Sequence, residues 1–119
     1  MREERFLMLK VSDIAEKLGL DIRVKGDIDK DVAGCYISDL LSDVMANSKG
    51  SELWITLQTH PNIVAVAVIK GLSCIVITNG RSPEPDTVKK AETENITILT
   101  TPKTTFEIAG PLYSLLRSE

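Results

Sequence analysis

The sequence predicts an α/β domain, a mostly parallel sheet flanked by helices, and three observations predict it. Leu53 to Leu57, Leu72 to Thr78 and Ile96 to Thr100 are strand-length runs rich in Ile, Val and Thr. They are too continuously apolar for a sheet with one wet face, so all three are expected as inner strands. Helix-compatible segments separate them. Each run also ends in or is followed by threonine, at Thr56 and Thr59, at Thr78, and at Thr100 and Thr101. This is a weak internal repeat of strand, hydroxyl-bearing turn and helix. It sets polar groups along one edge of a parallel sheet, where open α/β folds bind ligands.

At 119 residues one domain spanning 1–119 is expected, with residues 1–5 charged and loose. Aromatic residues are only 4%, so the core must be built from Ile, Val, Leu and Ala. The net charge of -3 leaves no positive excess to displace phosphate counterions, which argues against generic nucleic-acid binding. The longest apolar run, Ile63 to Ile69, is too short to span a bilayer, so no membrane role is expected. Cys35 and Cys74 lack CxxC spacing and sit in short apolar runs, where each reads as a small buried hydrophobe. With no signal-peptide pattern, that usage fits a reducing cytoplasm.

Taken in order, KVSDIAEKLGL places Ser12 as an N-cap, a helix from Asp13 to Leu18, and Gly19 as its stop. The segment looks like the first helix of a helix-turn-helix. The recognition helix that should follow is replaced by a short strand at Ile22 to Val24 and a charged loop, which argues against DNA reading. Gly34 to Ile37 is a strand leading to a helix that starts near Asp39 under a Ser38 cap, with Leu40, Leu41, Val44 and Met45 as its apolar face. Asp39 and Asp43 share a face there. Ordinary electrostatics of a first helical turn explain them better than a hydrated Mg²⁺ does.

The segment Asn62 to Lys70 sets β-branched propensity against helical start and stop signals at Pro61 and Gly71. Two buried strands joined by one glycine would need a tight hairpin, so a crossover helix is the expected solution. Gly80 to Pro85 is a breaker-rich turn with Ser82 as cap and Pro83 at the first helical position, and the helix runs to about Glu94 with Val88 and Ala91 inward. Thr104 and Glu107 form a capping box for a last helix whose stripe includes Phe106, Ile108, Ala109, Leu112, Tyr113, Leu115 and Leu116. Pro111 is expected to kink or interrupt it.

The residues GCYISDLLSDVMANSK, WITLQTH, GLSCIVITNGRSP and ENITILTTPKTTFEIAGPLYSLL, with the opening KVSDIAEKLGL, resemble the DRTGG domain family from about Lys10 to Leu116. The resemblance implies a fold like the N-terminal domain of HPr kinase/phosphorylase. It also implies a regulatory role, a homodimer, and an adenine-nucleotide site close to the dimer contacts, as in pyrophosphatases that carry CBS repeats. Where the family has a Gly-Asp-Arg-type turn and then Thr-Gly-Gly, this chain has Gln58, Thr59, His60 and then Thr78, Asn79, Gly80. The match is therefore to the order of elements more than to those turns.

Parallel strands would gather Ser38, Gln58, Thr59, His60, Thr78, Asn79, Gly80, Arg81, Thr100 and Thr101 at one edge. Helix N-terminal amides, Arg81 and the hydroxyls would suit a phosphate or other anion. The alternative is plain turn chemistry, with Ser38 and Thr104 capping helices and Asn79 and Gly80 supplying left-handed backbone. His60, the sole histidine, has no nucleophile or orienting acid in fixed relation to it, and no clustered metal-ligand set occurs. There is no GxxxxGK loop and no dinucleotide fingerprint, so no cofactor is implied. The leading expectation is a non-catalytic sensor of a small anionic ligand. Second is a protein-interaction adaptor using Trp54, Phe106 and Tyr113, with Phe106 more readily placed in the core; third is a small enzyme using His60.

Overall fold

The computed structural model describes residues 8–117, so the reading of residues 1–5 lies outside the described residues. The elements run α1 (Val11–Lys17), β1 (Asp21–Val24), β2 (Gly34–Ile37), α2 (Leu41–Asn47), β3 (Glu52–Thr56), α3 (Asn62–Lys70), β4 (Cys74–Ile77), α4 (Pro85–Glu94), β5 (Ile98–Thr100) and α5 (Thr105–Arg117). They build one five-stranded sheet in the order β1-β5-β4-β3-β2. The four strands from β2 to β5 are parallel, and β1 joins β5 antiparallel. The three runs read as inner strands are the three inner strands.

Their continuous apolarity follows from the layers. Trp54, Ile75, Ile77 and Ile98 face Val44 of α2, Ile63, Val64, Val66 and Ala67 of α3, and Ala91 of α4. The alternate residues Leu53, Ile55, Cys74, Val76 and Leu99 face Val11, Ile14 and Ala15 of α1 and Ile108 and Leu112 of α5. With helices on both faces, neither side of a central strand can be polar. Trp54 is fully buried and its Nε1–H donates to the Ser38 carbonyl at 2.8 Å, so it is core and not a partner surface.

Between β3 and β4 the helical reading of Asn62 to Lys70 holds, and Gly71 closes α3 at φ 64°. Burial of both sheet faces requires that crossover, and it overrides the β-branched propensity of the valines.

Several boundaries differ from the sequence reading. Ser12 lies inside α1, and the Asp13 carboxylate instead accepts from the Lys10 amide at 2.9 Å. Ser38 does not cap α2; its hydroxyl accepts from Leu40 N at 3.1 Å in the turn before the helix. Leu40 precedes the helix and is 64% exposed, and Met45 is exposed too, so Val44 and Leu41 alone carry the inward face. Asp39 is outside α2, whereas Asp43 lies within it and accepts from Tyr36 Oη and Asn47 Nδ2, each at 2.8 Å.

Helix α4 starts at Pro85, not Pro83. Glu84 precedes a proline, which bars it from helical backbone, and it is extended at ψ 155°. Helix α5 runs through Pro111 without interruption. Glu107, whose carbonyl loses its donor at Pro111, is exposed, so no buried group is orphaned. Phe106, expected in the core, is 87% exposed.

Candidate functional site

The parallel strands all end at one edge of the sheet, and the helices α2, α3, α4 and α5 begin there. The polar row therefore exists, but it divides into a stitched half and an open half.

The stitched half lies around β3. Thr56 is buried, its hydroxyl donates to Asp39 Oδ1 at 2.9 Å, and it accepts from the Gln58 amide at 3.1 Å. The same Asp39 oxygen accepts from Leu57 N at 2.7 Å, and Gln58 Nε2 donates to the Asp39 carbonyl at 2.9 Å. The Thr59 carbonyl accepts twice, from Thr87 Oγ1 at 2.6 Å and from Glu84 N at 3.1 Å. His60 Nδ1 accepts from Asn62 N at 3.1 Å, closing the turn into α3. Thr78 is buried and shares a 2.7 Å hydrogen bond with Thr105 Oγ1. Ser38, Gln58, Thr59, His60 and Thr78 are thus each engaged by an adjacent turn or by the start of a helix.

The open half is a notch of about 210 Å³ between the β4–α4 and β5–α5 turns. It is lined by Gly80, Arg81, Ser82, Thr100, Thr101 and Pro102, with Asp21 from β1. Asn79 and Gly80 both take left-handed backbone, at φ 64° and 71°. Asparagine tolerates that region better than other side-chain-bearing residues, which accounts for Asn79 where glycine is the easy choice. Backbone bonds tie the two turns together, Asn79 N to Lys103 O at 2.8 Å and Gly80 N to Thr101 O at 2.9 Å. The Thr101 hydroxyl accepts from Lys103 N at 3.2 Å. Arg81 donates from Nη1 to the Leu57 carbonyl at 3.0 Å, which anchors its fork beside the notch with other N–H donors left over.

Helix N-termini add less than expected. The Thr104–Glu107 capping box is formed, with Thr104 N to Glu107 Oε1 at 2.9 Å and Glu107 N to Thr104 Oγ1 at 3.2 Å. These bonds hold the Glu107 carboxyl below its ordinary range. They also engage the Thr104 and Glu107 amides at the head of α5 and set the Glu107 carboxylate there. Among the described residues no group of His, Cys, Asp and Glu is placed to hold a metal ion.

A larger cavity lies elsewhere. A groove of about 430 Å³ runs between the free side of β2 and α5, lined by residues that include Gly34, Cys35, Ile37, Leu112, Tyr113 and Leu116. Its one charged lining residue, Arg117, stacks 5.5 Å from the Tyr113 ring centroid and donates to the Tyr113 hydroxyl at 3.0 Å. Size favours the groove, but recognition of an anion favours the notch, because the groove walls carry almost no hydrogen-bonding side chains. Burial pushes the Cys35 thiol up to about 12, and Cys74, fully buried, is raised further. Neither is a thiolate at neutral pH.

Sequence reasoning took Asp39 for a first-turn acid and not for the knot of the stitched half, and it missed Asp21, which reaches the notch because β1 is antiparallel. The first could have been suspected from an acid just after a strand. The second depends on strand order, for which the sequence carries no local signal.

The model of the DRTGG domain family matches residues 13–115. The chain belongs to that family. No curated protein matches this DRTGG chain. Among solved structures it is similar to the CBS and DRTGG domains of the regulatory region of a Clostridium perfringens pyrophosphatase, complexed with its activator diadenosine tetraphosphate. That likeness has a TM-score of 0.68 at 18% identity and covers 84% of this chain and 44% of the other. The DRTGG chain described here thus spans less than half the length of that solved chain. The shared fold is α/β, with a mostly parallel sheet flanked by helices.

Proposed function

We propose that this DRTGG domain is a non-catalytic regulatory module that binds a small anionic ligand of the adenine-nucleotide class at the notch. The observation that carries the reading is the notch itself. At the strand-end edge it combines a glycine turn, the anchored Arg81 and the Thr100 hydroxyl, while the neighbouring Thr56 hydroxyl, Thr59 carbonyl and buried Thr101 hydroxyl are already hydrogen-bonded within the fold. An anchored guanidinium loses little freedom on meeting a phosphate. The solved relative, complexed with diadenosine tetraphosphate, supports the ligand class. The described bond of His60 closes its own turn, and among the described residues no acid is bonded to it that would make it a catalyst.

Calorimetric titration with AMP, ADP, ATP and diadenosine tetraphosphate tests the reading. Saturable heat that Arg81→Ala weakens about tenfold or more is expected, the effect of losing a charge-assisted contact. Absence of heat and of any thermal stabilisation at millimolar ligand would reject it.

A second reading concerns the β2–α5 face. Strand β2 is GCYI, an edge without charge or proline, while the opposite edge β1 carries Asp21 and Arg23 and a register irregularity. Charges and bulges protect edges, so β1 is guarded and β2 is not. We assign to this face the protein contact of the domain, a homodimer by family analogy. Light scattering across a concentration series would show a mass that doubles in the native protein and not in Ile37→Lys; a monomer at every concentration would reject it. We further place the domain in a reducing cytoplasm, where both free thiols persist, and relate its fold to the N-terminal domain of HPr kinase/phosphorylase, which superposition on the order β1-β5-β4-β3-β2 tests.

A further inference from the structure

We infer that the notch reads the sugar of its ligand as well as the phosphate, with the Asp21 carboxylate accepting hydrogen bonds from a ribose vicinal diol while Arg81 engages the phosphate. The inference rests on the nucleotide reading above and specifies it.

The antiparallel strand supplies the acid. Asp21 pairs with Thr100 in the β1–β5 register, so the first residue of β1 lies at the edge where the parallel strands end. Asp21 and Arg81 line the same notch without forming an ion pair. The Arg81 side chain donates to the Leu57 carbonyl, and among the described residues the Asp21 carboxylate has no hydrogen-bond partner. The notch is therefore lined by a carboxylate acceptor and by a cationic donor fork.

That pairing selects chemistry. A bare anion centred between the two groups gains from Arg81 and is repelled by Asp21. A ligand with an anion at one end and O–H donors at the other satisfies both. A carboxylate at a strand end accepting from ribose hydroxyls is a solution that nucleotide-binding α/β sheets use. Volume sets the size of the piece recognised. At about 210 Å³ the notch falls below the ~300–1,000 Å³ of pockets that enclose a whole ligand, so it takes a phosphoribosyl unit and leaves the base at the open rim.

Calorimetry on the full chain with AMP, 2′,3′-dideoxy-AMP and inorganic phosphate tests this. AMP is expected to bind about tenfold tighter than the dideoxy compound, the effect of hydrogen bonds to a charged acceptor, and phosphate should be weakest. Asp21→Asn should erase the difference between the two nucleotides, and Arg81→Ala should weaken both alike. Equal binding of AMP and dideoxy-AMP to the native protein overturns the sugar reading and leaves the nucleotide reading standing. So does an Asp21→Asn protein that loses affinity for both equally. No binding by either nucleotide removes the nucleotide reading and this inference with it. The comparison of AMP with its dideoxy analogue uses the native protein, so it decides the matter even if a variant fails to fold.

Discussion

The two halves of the strand-end edge are built from the same residue types and do opposite things. Around β3, the Thr56 hydroxyl is buried between Asp39 and the Gln58 amide, and the Thr59 carbonyl receives two donors from α4 and the turn before it. Around β5, the Thr100 hydroxyl makes no described hydrogen bond and lines the notch with Arg81 and Asp21. A threonine at a parallel strand end is therefore not a ligand signal in itself. What decides is whether a neighbouring turn supplies its partner: a satisfied hydroxyl holds the fold, and an unsatisfied one at an open edge is free to meet a ligand.

The largest effect should come from exchanging each threonine for its isostere. Thr56→Val removes a buried hydroxyl and leaves the Gln58 amide without its acceptor, at a cost of about 1–3 kcal/mol. Thr100→Val removes nothing that is bonded in the free protein and should stay within about 0.5 kcal/mol of the native value. Urea unfolding of the two variants measures the contrast. Equal losses would mean that the halves do not differ.

Arg81→Ala sharpens the same comparison from the binding side. Its one described side-chain bond is an exposed contact to Leu57, so stability should change by less than about 0.5 kcal/mol, while nucleotide affinity falls about tenfold or more. Gln58→Ala, in the stitched half, should leave affinity within about twofold, since its side-chain bond goes to the Asp39 carbonyl. Paired titrations and melts decide between them. A Gln58 variant that lost as much affinity as the Arg81 variant would move the site into the stitched half.

Much of the fold was legible because burial on both sides of the sheet leaves a mark on every residue of β3, β4 and β5, and because Gly71 marks the end of α3 at left-handed backbone. The site was legible only as a row. Which polar groups are already engaged depends on pairs far apart in the chain, the Thr56 hydroxyl with Asp39, the Thr59 carbonyl with the Thr87 hydroxyl, the Thr78 hydroxyl with Thr105, and local sequence says nothing of such pairs. The misread helix starts have a different cause. Ser12, Ser38 and Ser82 are all plausible caps by type, and in each case a neighbour set the boundary: Asp13 bonding back to Lys10, the turn at Leu40, and Glu84 held extended by Pro85.

The two cysteines separate a buried interior from an accessible surface, and alkylation reads the difference. The Cys35 thiol, half-buried on β2 and pushed up to about 12, has a vanishing thiolate fraction at pH 8, and Cys74 in the sheet interior has less. Folded protein should react with iodoacetamide far more slowly than urea-unfolded protein, whose thiols are ordinary. Cys35 should be modified before Cys74, as mass spectrometry of peptides would show. Rapid labelling of Cys35 at pH 7 would mean that the groove beside β2 opens to water more than its geometry implies.

The smallest effect belongs to the capping box at the head of α5, and its sign follows from its hydrogen bonds. Donation from the Thr104 amide, then from its hydroxyl, lowers the Glu107 pKa on folding. A carboxyl depressed in the folded state contributes its stability above its unfolded pKa and loses it as pH falls through the lower, folded value. Because Glu107 is exposed, solvent screening keeps the contribution small. Urea midpoints measured from pH 7 down to pH 3 should fall more for the native protein than for Glu107→Gln, which keeps an acceptor at that position and cannot titrate. Parallel midpoints for the two proteins would show that the carboxylate charge adds nothing to the cap.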